Sequence, residues 1–95
     1  MSSTTPVIVA AARTPQGTNG GAFATLRSED LSVAVVDELL ARTGVGSGAV
    51  EDLLWGCAQQ TGEQGNNLAR AVALLSELGE RVPAATINRW GASSA

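Results

Sequence analysis

The stretch most suited to chemistry is Asn88-Arg89-Trp90-Gly91-Ala92-Ser93-Ser94. An apolar run with β-branched residues leads into it, and small and hydroxyl-bearing residues follow. That is the grammar of a strand turning sharply into a helix. A side chain placed directly after such a strand faces backbone N–H groups and the positive end of a helix dipole, which lower a thiol's pKa. A cysteine there would be poised to take an acyl group. The residue that stands there is Gly91, which offers no side chain.

Other candidates are weaker. Cys57 falls at the end of an apolar run, where α/β proteins often place their sites. It also fits an unpaired cysteine acting as a small buried hydrophobe, and no neighbouring base is visible in the sequence. Gln59, Gln60, Glu63, Gln64, Asn66 and Asn67 form a polar cluster with Arg70 one turn on. It reads equally as a solvated loop with a helix cap or as a partner-facing loop. Glu63 has no second titratable group placed opposite it, so it is a poor acid–base residue. Gly17, Gly20 and Gly21 follow a strand-like run and precede a helix, but their spacing is not G-x-G-x-x-G. The chain has no lysine for a P-loop. With His 0, these 95 residues cannot assemble a Ser-His-Asp, Cys-His or His-ligated metal site by themselves.

Composition narrows the class. Ninety-five residues allow one small domain with a modest buried fraction. The hydrophobic share, 44%, suffices for a core, and with Phe23, Trp55 and Trp90 as the aromatics that core must be aliphatic. Six arginines against nine acids leave a net charge of −3. The arginines are scattered, which argues against a nucleic-acid groove and against an anionic membrane surface. No run is long and apolar enough for a membrane span. A single cysteine suits a reducing, cytoplasmic setting. Residues 1–5 read as a disordered leader rather than a signal peptide.

The elements that must position the turn follow from periodicity. Pro6 to Ala12 is a short apolar run that fits a strand buried on both faces. A loop with Asn19-Gly20-Gly21 follows. A helix is expected over Glu29 to Arg42, with Ser28 as N-cap, Leu31, Ala34, Val35 and Leu39 as its apolar face, and Gly44 as its stop. Leu53 to Ala58 is a second strand. A second helix is expected from about Asn67 to Leu78, capped by Asn66 and ended by Gly79, with Leu68, Val72, Leu75 and Leu78 inward. Ala84 to Arg89 is a third strand. The order β-α-β-α-β predicts an α/β fold, a mainly parallel sheet with helices packed on it.

Several stretches carry a resemblance, in order and without gaps, over residues 6–94. Val7 to Gly17 resembles the opening strand of thiolases and their A-x-R-T-P-x-G signature. Leu54-Trp55-Gly56-Cys57-Ala58-Gln59-Gln60 is similar to that family's second strand. Gly62 to Arg70 is similar to the stretch that opens its second helix. Val82 to Arg89 resembles the strand before the nucleophile, and Asn88 to Ser94 resembles the N-R-x-C-G/A-S-S turn itself. The resemblance implies that residues 1–95 are part of a thiolase N-terminal domain.

It also implies an activity. Thiolases transfer an acyl group between a cysteine and coenzyme A, making or cleaving 3-ketoacyl-CoA. A coenzyme A thioester is the substrate and no further cofactor is needed. The family's acyl-accepting cysteine corresponds to Gly91. Its activating histidine, second cysteine and oxyanion-hole histidine lie in a later part of the family's chain. Thiolases form homo-oligomers, paired partly through the strand equivalent to Ala84–Arg89, so Thr86, Ile87, Asn88 and Arg89, with Asn67 and Arg70, are the interface candidates. The expectation is an N-terminal thiolase fragment, inert as it stands. The alternative is an interaction module that pairs with a full-length thiolase or a separately encoded remainder.

Overall fold

The computed structural model describes residues 5–94, so most of the expected leader lies outside the described residues. Helix α1 spans Ser28–Thr43, strand β1 Leu53–Gly56, helix α2 Leu68–Leu75 and strand β2 Ala84–Ile87. Two short 3₁₀ turns, Ser47–Ala49 and Gly62–Gln64, lead into β1 and α2 respectively. β1 and β2 pair in parallel, with Leu53 opposite Ala84 and Gly56 opposite Ile87. A parallel pair needs a crossover, and α2 supplies it. The fold is the mixed α/β architecture expected from the sequence.

Both helices are shaped by their ends. Gly44 closes α1 in the left-handed region, φ 68°, with its N–H donating to the Leu40 carbonyl. The N-cap of α1 is Arg27 rather than Ser28, and its side chain makes no capping bond. Instead the Glu63 carboxylate, 35 residues away, accepts from both the Ser28 N–H (2.9 Å) and the Ser28 hydroxyl (2.8 Å). Asn67, not Asn66, caps α2. It sits at φ 61°, and its Oδ1 accepts from the Arg70 N–H at 3.3 Å. Asparagine tolerates that conformation better than most residues.

The inward face of α1 differs from the expected one. Ser32 and Val36 are buried, with Val33 and Leu40 packed beside them, whereas Ala34 faces solvent. α1 is apolar on several sides, so its packing partners choose the face. Ser32 is tolerated inside because its hydroxyl donates to the Ser28 carbonyl at 2.9 Å. α2 also ends earlier than periodicity suggests, at Leu75, which is exposed. The Asp37 carboxylate accepts the Glu77 N–H at 2.8 Å, and Gly79, at φ 79°, donates to the Ala73 carbonyl. The chain turns through Ser76 and Gly79, and this turn rather than helical spacing brings Leu78 into the core.

That core is Val36, Cys57, Leu68, Val72, Leu78 and Val82, with Val33, Leu40, Val50, Leu53 and Trp55 packed against it. It is aliphatic, as the composition requires, and lies between the helices and one face of the sheet. The expected first strand is a correction. Residues 6–12 take part in no ladder, and the sheet of the described residues has two strands. A strand needs a ladder as well as an apolar sequence.

Candidate functional site

The Asn88–Ser94 turn leaves the end of β2 and is tied to the end of β1. The Cys57 N–H donates to the Ile87 carbonyl at 2.9 Å, extending the parallel ladder by one bond. The Asn88 amide then donates to the Ala58 carbonyl at 3.2 Å, and its Oδ1 accepts the Trp90 N–H at 2.9 Å. One side chain thus joins the two strand ends and shapes the next turn, a role asparagine fills through its paired donor and acceptor.

Ser93 closes the turn from the other side. Its hydroxyl accepts the Arg89 N–H at 2.9 Å and donates to the Trp90 carbonyl at 2.6 Å. The Ser93 N–H also donates to Trp90, at 3.1 Å. Ser93 is buried, and Trp90 between its partners takes φ 52°. A bulky non-glycine residue in that region is strained unless its surroundings hold it there. The side-chain and backbone hydrogen bonds inside this seven-residue turn supply that restraint.

Gly56 makes the docking possible. A Cβ on Gly56 would lie 2.6 Å from the Ser93 carbonyl carbon and 2.7 Å from Ser94 N. No side chain fits there, so the turn backbone rests directly on β1. Glycine inside a strand is often the mark of such a close approach. The sequence contains that signal, but its meaning emerges only with the turn in place.

Gly91 is different. It is exposed, and a Cβ added to it meets no heavy atom within 4 Å. Its backbone does not demand glycine either, since its φ lies outside the left-handed region. The turn therefore has room for a side chain at this position and carries none. Gly91 forms an isolated bridge with Arg89, and residues 92–94 continue as turns. Beside the turn lies an open cavity of about 430 Å³ between Leu54, Trp55, Gly56, Ile87, Arg89, Ser93 and Ser94. Arg89 is the charged member of that lining.

The other candidates serve the scaffold. Cys57 is buried, with its thiol 3.1 Å from Gln64 Oε1 and 3.4 Å from the Gln59 carbonyl. Glu63 is held below its ordinary pKa of 4.5, first by the Ser28 N–H, then by the Ser28 hydroxyl, with a smaller contribution from Arg27. Asn67 donates to the Ala84 carbonyl at 3.2 Å and accepts the Thr86 hydroxyl at 2.7 Å, while Thr86 accepts the Ala69 N–H at 3.0 Å. Arg70 donates to the Glu80 and Val82 carbonyls at 3.1 and 3.2 Å. Asn67, Thr86 and Arg70 therefore knit α2 to β2 and its approach. Ile87 is half-buried, and Asn88 and Arg89 are exposed.

Comparison with known proteins bears on this geometry. The family described as "Thiolase, N-terminal domain" matches residues 6–95. The chain belongs to the thiolase N-terminal domain family. It is similar to the 3-ketoacyl-CoA thiolase of Citrobacter koseri, 52% identical over 90 residues, covering 93% of this chain and 23% of that protein. It is equally similar to 3-ketoacyl-CoA thiolase FadA of Escherichia coli strain K12, again 52% identical over 90 residues. The chain thus spans 23% of the length of these relatives. In this thiolase domain, Gly56, Asn88 and Ser93 build the turn around a position that bears only hydrogen. No helix among the described residues is long and apolar enough to cross a membrane.

Proposed function

We propose that this chain is the opening part of a thiolase-type acyltransferase that acts on acyl-CoA in the cytoplasm. Position 91 is its acyl-accepting position, left without a nucleophile. The observation that carries the reading is the turn itself. Asn88 and Ser93 hold a projecting, unobstructed position directly after a parallel strand, and glycine occupies it. Acyl transfer needs a thiolate that attacks a thioester carbonyl and leaves with the acyl group bound. Neither Gly91 nor the buried Cys57 supplies one. The 95-residue chain by itself therefore does not cleave 3-ketoacyl-CoA.

The test is an assay of the purified chain for CoA-dependent cleavage of acetoacetyl-CoA. The expected rate equals that of a protein-free blank. Turnover proportional to protein, retained after further purification, would overturn the reading.

A second reading, an interaction module for a full-length thiolase or a separately encoded remainder, is favoured by one observation. Large apolar side chains lie open: Leu54 on the sheet, Leu74 and Leu75 on α2, and Trp90, 74% exposed, on the turn. Unpaired sheet edges and exposed apolar patches are characteristic of surfaces that bind a partner. The edge residues Thr86 to Arg89, with Asn67 and Arg70 behind them, would then face a second thiolase subunit. Size-exclusion chromatography with a full-length 3-ketoacyl-CoA thiolase tests this reading. Co-elution is expected if it holds, and separate elution counts against it.

A further inference from the structure

We infer that the Gly62–Gln64 turn is a lid over the Cys57 thiol, latched shut by Glu63 at the start of α1. Cys57 belongs to the core with Val36 and Leu68 and is 7% exposed. Its thiol is covered from the loop side: it donates to Gln64 Oε1 at 3.1 Å and lies 3.4 Å from the Gln59 carbonyl. Gln64 sits in a short 3₁₀ turn whose other side chain, Glu63, is exposed. The seal on a core thiol is therefore a surface turn rather than a helix or a strand.

Few hydrogen bonds hold the lid. Its backbone bonds are internal, from the Gln64 N–H to the Thr61 carbonyl and from the Gly65 N–H to the Gly62 carbonyl, both 3.0 Å. Among the described residues, two side chains bond it to the rest of the molecule: Gln64 to Cys57, and Glu63 to Ser28. The Glu63 contact is the stronger, since a carboxylate there accepts two donors at the positive end of a helix dipole. Arg27 adds only a smaller attraction, being itself paired with buried Glu29. Gly62, at φ 58°, and Gly65 bracket Glu63 and Gln64, and glycine backbone can take up their movement. Release of Glu63 lifts Gln64 and opens the thiol, while the Cys57 N–H stays bonded to the Ile87 carbonyl in the ladder.

Cys57 is the chain's one cysteine, so its reaction with a disulfide reagent reads the lid directly. The Cys57 thiolate attacks the reagent's S–S bond, forming a mixed disulfide and releasing the reagent's other half as a thiolate. The rate in the native chain, relative to the same chain unfolded in denaturant, measures the open population. Glu63→Gln should raise that relative rate about fivefold, the factor that loss of a helix-capping contact gives. Asp37→Asn is the comparison. Asp37 also accepts a backbone N–H, that of Glu77, but more than two turns further along α1. Asp37→Asn should leave the rate unchanged. The inference is overturned if Glu63→Gln leaves the rate unchanged. It is overturned equally if Asp37→Asn raises the rate as much, which would mean that Cys57 reacts only through global unfolding. If Glu63→Gln fails to fold, amide exchange of the unsubstituted chain decides. The Ser28 amide should be protected, but less than the Cys57 amide in the ladder. Exchange of Ser28 at the unstructured rate, or as slowly as Cys57, would overturn the latch.

Discussion

The backbone of Ser93 lies so close to Gly56 that a single methyl group on Gly56 would be 2.6 Å from the Ser93 carbonyl carbon. The neighbour is backbone, so no flexible side chain can step aside. The missing Cβ in β1 is what seats the turn carrying position 91.

Replacing Gly56 with alanine should therefore displace the turn. Overpacking of this kind costs about 1–3 kcal/mol. The cost should appear in chemical denaturation of the Gly56→Ala chain. Faster amide exchange at Arg89, whose N–H is held by the Ser93 hydroxyl, should accompany it. Leu54→Ala, on the same strand but exposed, should leave Arg89 exchange unchanged.

Position 91 should behave in the opposite way. A Cβ at this exposed position meets no atom within 4 Å, so Gly91→Cys should change stability by no more than about 0.5 kcal/mol, as surface substitutions do. The new thiol should react with a disulfide reagent at the rate of an exposed cysteine, at least about tenfold faster than buried Cys57. Equal rates at the two sites would show that the turn is closed or that the core is open.

Asn67 joins the cap of α2 to strand β2 by bonds to Arg70, Ala84 and Thr86. Asn67→Ala loses the cap and is strained at φ 61°, and should cost about 1–2 kcal/mol by denaturant titration. Asn67→Gly relieves the strain and should cost less. The reverse order would contradict the left-handed cap.

Glu63 makes stability depend on acid. Its folded pKa lies below its unfolded value near 4.5, so the folded state favours the carboxylate. The contribution is fully present above the unfolded pKa and is lost as pH falls through the lower folded value. Glu63→Gln should therefore lower the melting temperature near neutrality, and the gap to the parent should narrow as pH drops below about 4.5. A gap that stays constant would mean that the Ser28 contact does not depend on charge.

Much of this was legible in the sequence, for identifiable reasons. Gly44 and Gly79 announce left-handed turns because other residues are strained there, and both turns are found. The parallel strands at Leu53 and Ala84 follow from short apolar runs separated by a helix-length segment. Ser28 has the local chemistry of a cap. Its partner is Glu63, 35 residues later, and no local rule reaches that far. Apolar residues surround α1, so only packing separates buried Val36 from half-buried Leu39. The segment 6–12 has the composition of a strand, but composition does not supply an edge to pair with. Gly91 alone, of the residues in the turn, could be judged from the sequence as lacking chemistry. The work of Gly56 and Ser93 needed coordinates.

On the reading proposed above, the turn at Asn88–Ser94 is built and position 91 lacks a nucleophile. Intact-mass spectrometry of the chain after incubation with acetyl-CoA tests it most directly. The unmodified mass is expected throughout. An acetyl adduct that forms in step with CoA release, and is discharged again by added CoA, would contradict it.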